Sequence, residues 1–460
     1  MHDSSKPALR CLASGLLIVM LAGARPFSVP VAQTRVSPED INRSIELYNR
    51  GRKLYEIGKV DEAIALYRQA LAINPAYPEA LSNLGLALDS EGKDEEAIRD
   101  LDLALEYKPS DAITESNLGL ALYHQGKYSD SIAAYQRSIA IHANLPQAYN
   151  GMGAALFASG RTDDAIAAYH HALELSPKYP DALNNLGAAL NAKQEWDQAI
   201  QVYEQALALN PHSSDTRANY AAALVSAGRT EDAISSYRQV VADQPQDAHA
   251  WFQLGHLQYL QHEYADAEAS FEKSLAINAG QSAAEFNLAS ALNDQGKIAE
   301  AVAAYQKGLA LEPGNSHALY NLGNAYLTLK QYSDSEAAFR KALAAQADFP
   351  EATLGLGASQ SAAGNLDGAR DTYNKLVAAH PDNADAHFNL GNTLFNKGQY
   401  ALAANQYRET IRLRPDYARA HYNLAMTLLR LNDSKAAVLE FQQAQKLDSS
   451  LKPPAGMPAQ

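Results

Sequence analysis

Three histidines fall close together in this sequence, His249, His256 and His262. Imidazole is the side chain best suited to metal ligation and to proton transfer near neutral pH. Their spacing serves neither use. Metal ligands on a helix face stand three or four residues apart, whereas His249 and His256 stand seven apart. The adjacent His170 and His171 point to different faces of a helix. All five are read as solvated or packed imidazoles, with no catalytic and no metal-ligating residue among them. The sequence carries no phosphate loop, nucleophile elbow or nucleotide fingerprint. Its single cysteine, Cys11, excludes an intramolecular disulfide and a cysteine-based zinc site. No cofactor is expected, and the protein is read as a non-enzyme.

Hydrogen-bonding chemistry is better represented. Asn49, Asn83, Asn117, Asn185, Asn219, Asn287, Asn321, Asn389 and Asn423 are spaced by multiples of 34 residues, with Gln253 in the same register and Gly151 and Gly355 as gaps. A side-chain amide has donors and an acceptor, so a row of them can clamp the backbone of an extended peptide without reading much of its sequence. The same row can instead bond between neighbouring repeats and hold them in register. One residue earlier the two halves differ. Phe252, Phe286, Tyr320, Leu354, Phe388 and Tyr422 occupy the later half, against Ser82, Ser116, Asn150, Asn184 and Ala218 in the earlier one. Either the later half offers a groove with apolar contacts beside the amides, or its rings improve packing between adjacent helices.

These residues need elements that present them at a constant interval. A strict period of 34 residues runs from Ser44 to Leu451, twelve units without insertion or deletion, covering 408 of 460 residues. Each unit holds two helix-length segments with apolar or small residues at helical spacing, separated by a turn. At the eighth position stand nine glycines, among them Gly51, Gly85, Gly187 and Gly391, and three alanines. A helical glycine costs about 0.5–1 kcal/mol relative to alanine, so close approach of the partner helix must offset the loss. That helix carries Ala or Ser at position twenty throughout, and an aromatic at position twenty-four except at Leu101. Glycine at position fifteen, as at Gly58 and Gly92, suits a positive φ where the first helix stops, and Asn432 can substitute. Proline at position thirty-two closes most units; Ala143, Ala279, Ala347 and Ser449 replace it, and those junctions are expected to be looser.

The pattern resembles the tetratricopeptide repeat family, whose 34-residue signature is well defined. The resemblance implies an all-α, right-handed superhelical solenoid of twelve helix-turn-helix repeats with the first helices lining a concave face. The asparagine row is similar to that in the superhelical repeats of O-linked N-acetylglucosamine transferases, although nothing here corresponds to their separate catalytic domain. Co-chaperone members of the family hold a carboxylate with lysines beside their asparagines. No lysine stands on this row or immediately before it, so that activity is not carried over. The candidate peptide-binding residues are Asn49, Asn83, Asn117, Asn185, Asn219, Gln253, Asn287, Asn321, Asn389, Asn423, Phe252, Phe286, Tyr320, Phe388 and Tyr422.

A formal net charge of -14 opposes binding to DNA or RNA backbones. Residues 1–24 read as a secretory signal peptide, with Lys6 and Arg10 before an apolar stretch from Leu12 to Ala24. That stretch is short for a bilayer span, so a stable membrane span in the mature chain is not expected; an uncleaved segment acting as a tether is the alternative. Residues 25–43 are assigned to a linker and helix cap, with Ser37, Pro38, Glu39 and Asp40 as the capping sequence. Residues 44–451 form the repeats, and 452–460 a disordered tail. Polar residues at Arg50 and Gln445, where other units are apolar, are those expected of capping repeats at the two ends of a complete array. The expected function is an exported, periplasmic or extracellular scaffold that binds extended protein segments. A structural component of an envelope assembly, secretion or polysaccharide-export machine is the alternative.

Overall fold

A computed structural model describes residues 36–457; the signal-peptide assignment lies outside them. Among the described residues there are 24 α-helices and no strand. The chain divides into two compact units, Met1–Ala155 and Leu156–Gln460. Each unit is a solenoid of helix pairs. The first helix of a repeat, such as Pro78–Ser90, packs antiparallel on its own second helix, Asp94–Tyr107, and on the second helix of the repeat before it. Within each unit, first helices of adjacent repeats also touch one another, and second helices make no comparable contact. The first helices therefore line the inner side of the stack. The segment assigned to a linker is helical from Pro38, because Ser37 caps the helix Pro38–Glu56 through a bond from the Asp40 N–H at 3.1 Å.

The glycine row is explained by the ring opposite it. A Cβ placed on Gly187 would lie 2.7 Å from the Tyr203 ring, and one on Gly357 would lie 2.5 Å from Tyr373. In the second repeat Leu101 fills the same space, 2.6 Å from a Cβ on Gly85. Close approach was expected at the small residue of position twenty; the first obstacle is instead the large residue at position twenty-four. Tyr67, Tyr169, Tyr203, Tyr407, Phe271 and Phe339 are fully buried in this way, each contributing about 1.5–3 kcal/mol of burial. Where position twenty is serine, its hydroxyl uses the same proximity: Ser131 donates to Gly119 O at 2.6 Å and Ser335 to Gly323 O at 2.8 Å.

Each intra-repeat turn ends its helix with one left-handed residue. In the second repeat the Gly92 N–H donates to Asp89 O and the Lys93 N–H to Leu88 O, both at 2.9 Å, which satisfies carbonyls the helix leaves open. All twelve equivalents have φ between +59° and +83°, including Gln194, His262, Lys330 and Asn432. His262 is thus a turn residue, its Nδ1 2.7 Å from the Tyr264 hydroxyl. Two of the four junctions that lack proline, those at Ala279 and Ala347, carry side-chain to backbone bonds. Gln281 donates to Ser274 O and Asn278 O, while Gln346 donates to Asp348 O.

The tail departs from expectation. Gln445 donates to Leu451 O at 3.2 Å, Pro454 is buried, and Met457 packs against the cluster containing Leu424 and Leu428. The segment 452–457 is therefore anchored at Pro454 and Met457, whose apolar surface is buried or partly buried, while its other residues are exposed.

A non-glycine residue in the left-handed region costs about 1 kcal/mol. Gln194→Gly and Lys330→Gly should each raise stability by about 0.5–1 kcal/mol, and Gly126→Ala should lower it by about 1 kcal/mol. Urea-denaturation midpoints of the three variants check the sign of each change.

Candidate functional site

The ladder positions fall on the inner side of each unit. All but the exposed Asn49 are half-buried. Several bond to the repeat before them. Asn83 donates to the Tyr48 hydroxyl at 3.0 Å, Asn117 to Ser82 Oγ at 3.3 Å and Asn219 to Asn184 Oδ1 at 3.1 Å. Tyrosines at position twenty-four neighbour three of them: Tyr67 lies beside Asn83, Tyr305 beside Asn321 and Tyr407 beside Asn423. Asn423 donates to Asn392 Oδ1 at 2.8 Å. Gln253 stays within its helix, 3.3 Å from His249 Nε2, and Asn185 is also engaged. Among the described residues, Asn49, Asn287 and Asn389 make no side-chain hydrogen bond.

Local sequence explains the division. The ring before Asn287 is Phe271, which has no hydroxyl, and the residue at position five of that repeat is Phe252. Before Asn389 stands Tyr373, but its hydroxyl is turned to Leu354 O at 3.5 Å, and Leu354 and Ala358 bring no polar side chain. The two gaps are filled rather than open. A Cβ on Gly151 would lie 2.4 Å from the Tyr135 ring, and one on Gly355 would lie 2.4 Å from Phe339. Glycine there makes room for the preceding repeat's ring.

The rings at position five are half-buried against their own repeats. Phe388 lies 6.0 Å from Tyr407 and 4.8 Å from Tyr417 between ring centroids, and Tyr320 lies 5.9 Å from Phe339 and 5.3 Å from Phe349. Phe252 and Tyr422 contact Phe271 and Phe441 at 5.9 and 6.2 Å. Phe286 occupies space opened by Gly308, whose Cβ would lie 2.4 Å from the ring. These contacts leave each of the rings only partly covered. The earlier half is not without such a ring, since Tyr48 packs on Tyr67 and Tyr77 at 6.0 and 5.1 Å.

Sequence reasoning missed a polar lock at position four. Trp251 Nε1 donates to Pro245 O, and His387 Nε2 and His421 Nε2 to Pro381 O and Pro415 O, each at 3.1 Å; Arg217 bonds to Pro211 O. The signal was a side-chain N–H six residues after the junction proline, obscured because three residue types supply it. Two acids at the same position, Glu115 and Glu285, each keep one buried oxygen without a partner. Burial pushes Glu285 up from the ordinary carboxylate range. His256 stacks on Phe252 at 6.3 Å, and no described group of three His, Cys, Asp or Glu residues is placed to hold a metal ion. No described helix is long and apolar enough to cross a membrane. The most perturbed carboxylate is Asp100, raised to about 6 by burial and by Glu96, against a smaller opposing pull from Arg68 and Arg99.

With this geometry in place, the comparisons with known proteins agree on one family. Models described as tetratricopeptide repeat match residues 150–214, 286–350, 320–384, 354–404 and 388–451, and related ones match 51–89, 78–111, 110–178, 190–255 and 248–281. The chain belongs to the tetratricopeptide repeat family, whose members generally mediate protein–protein interactions. No curated protein matches the chain. Among solved structures it is similar to YrrB, described as a TPR protein with an unusual peptide-binding site, at 24% identity over 39% of this chain and 92% of that one, TM-score 0.34. It is also similar to the Cut9 and Hcn1 hetero-tetramer of the APC/C, at 13% identity over 89% and 94%, TM-score 0.40. A tetratricopeptide repeat protein from Parabacteroides merdae aligns at 21% identity over 51% and 93%, TM-score 0.41.

Two measurements follow from the packing and the charge. Phe388→Ala should destabilise the chain by about 2 kcal/mol, less than a fully buried ring would, and differential scanning calorimetry reads the loss. For Asp100 the folded value is raised above the ordinary 3.8, so its favourable contribution is present below 3.8 and is lost as pH rises through about 6. Asp100→Asn should therefore be more stable than the parent at neutral pH, with the difference vanishing below 3.8. Melting temperatures across that range test the sign.

Proposed function

We propose that this chain is a non-enzymatic, exported scaffold that holds an extended, uncharged protein segment along the inner side of the first helices of its second unit. One observation carries the reading. Across repeats two to twelve, positions five, six and nine contain no Asp, Glu, Lys or Arg, although the chain as a whole has a net charge of -14, and only repeats seven to twelve add a large apolar or aromatic residue at position five in every unit. The charged residues lie elsewhere, and this strip is left with amides, hydroxyls and ring faces. Such a surface suits backbone hydrogen bonding and apolar contact, and offers a phosphate or a carboxylate nothing to pair with. Export is proposed from the order of basic, apolar and small residues in 1–24.

The binding reading is tested on an array of random, charge-free peptides of about twelve residues, a length that spans roughly 40 Å when extended. Capture by the mature chain should persist from low to high salt, because no ion pair contributes. Capture confined to charged control peptides and abolished by salt would sink it. Export predicts that protein recovered from producing cells begins at Arg25; recovery of an intact Met1 end from the cytoplasm would overturn that part alone.

A further inference from the structure

We infer that the outer side of the last two repeats rests on an anionic lipid surface, with Leu402 and Leu439 entering its apolar boundary and Arg408, Arg412, Lys435 and Lys446 lying over lipid phosphates. The residues belong to the second helices Tyr400–Leu413 and Ser434–Leu447, away from the inner strip. Comparison with the other repeats shows what sets these two apart. In each of the ten preceding second helices the first turn holds at least one acid and the last turn no basic residue. In the last two the first turn has no acid, and the last turn carries Arg412 or Lys446. The helix dipole favours cations at that end but equally favours the missing acids, so it explains only half of the change.

The leucines are as unusual as the charges. Position nineteen is Asp, Glu, Gln or Gly in repeats one to ten and Leu402 in repeat eleven. Position twenty-two is small or polar in repeats one to eleven and Leu439 in repeat twelve. Leu402 is 53% and Leu439 66% exposed, so neither serves the packing that the other repeats achieve without it. Lys435, Leu439 and Lys446 share one exposed helical face. In repeats seven and nine, position twenty-two (Ala269, Ala337) lines a groove with positions twenty-five and twenty-nine of the helix before. The same register sets Leu439 opposite Arg408 and Arg412. Arg412 is paired with Glu409 at 2.7 Å, Glu440 is turned to His421 Nδ1 at 2.6 Å, and Lys435 and Lys446 have no ion pair among the described residues.

Charge complementarity selects the occupant. Residues 400–452 hold eight Lys and Arg against five Asp and Glu, in a chain whose net charge is -14. Two leucines separated by a row of cations are too little apolar surface for a stable protein interface, which centres on a desolvated cluster. A nucleic-acid backbone would offer the cations phosphates but the leucines nothing. At a bilayer surface single apolar side chains reach the headgroup boundary, and each neighbouring cation meets a phosphate.

Vesicle flotation tests this with the chain from Arg25 onward, so that the apolar stretch 12–24 cannot itself enter lipid. Vesicles of phosphatidylglycerol and phosphatidylcholine in equal parts should carry the protein at low salt and release most of it at high salt, whereas phosphatidylcholine alone should carry little. Leu402→Ser with Leu439→Ser, and Lys435→Glu with Lys446→Glu, should each lower partitioning about tenfold with melting temperature unchanged. Lys273→Glu with Lys341→Glu, the same change of charge on second helices of repeats seven and nine, should leave partitioning within about twofold of the parent. An equal loss with that control pair, parental partitioning by the leucine pair, or equal binding to neutral vesicles overturns the inference. Retention on an immobilised acidic peptide without vesicle binding assigns the patch to an acidic protein and overturns it as well.

Discussion

The contact on which everything else depends is that of a helical glycine with the face of a large ring. Glycine is a poor helix residue, and a row of them would weaken an isolated helix by several kcal/mol. Here each missing Cβ is replaced by a ring or, once, by Leu101, at distances no side chain could share. That one substitution brings the two helices of a repeat close enough to bury Tyr203 or Phe339 completely. It also sets the interval at which the next repeat must sit, because the same ring reaches across to the following first helix. At Gly151 and Gly355 the reach is so direct that the ring takes the place of an amide.

Much of this was legible in the sequence because a repeat that packs only on its neighbours must solve one steric problem twelve times. Period, helix pairs, turn glycines and small positions all followed from that repetition. What repetition hides is the identity of the neighbour. Asn287 and Asn321 occupy the same position in adjacent units, yet the ring of the preceding repeat beside Asn321 is Tyr305, with a hydroxyl, and beside Asn287 it is Phe271, without one. The position-five rings were equally ambiguous, since an aromatic beside an amide row reads as groove lining until Phe388 is found between Tyr407 and Tyr417. Gln194, His262 and Lys330 did not announce a left-handed turn by residue type, only by register.

Electrostatics plays a smaller part in holding the stack. Ion pairs link successive repeats, as from Arg68 to Glu96 at 2.6 Å and from Lys397 to Asp367 at 2.6 Å, but most partners are well exposed and such pairs contribute at most about 1 kcal/mol. Buried polar groups matter more. The position-four donors Arg217, Trp251, His387 and His421 fasten four of the first helices to the turn behind them through a proline carbonyl that no backbone N–H satisfies in these junctions. The net negative charge of the chain is carried outside the strip proposed for binding, and the strip is left to hydrogen bonds and rings.

The amide bonds from Asn83, Asn117, Asn219 and Asn423 all point the same way, each residue leaning on the unit that precedes it. A stack fastened like this has a polarity. If a repeat opens, the next one along the chain loses a partner, whereas the ladder amide of the one before keeps its own. Tension applied at the amino-terminal side of a unit therefore loosens its ladder link by link, and tension at the carboxyl-terminal side removes whole repeats while leaving the remaining amides satisfied. Gln253, Asn287, Gly355 and Asn389 are breaks in that one-way chain, and at those points the unit can give without an amide bond to the preceding repeat being broken.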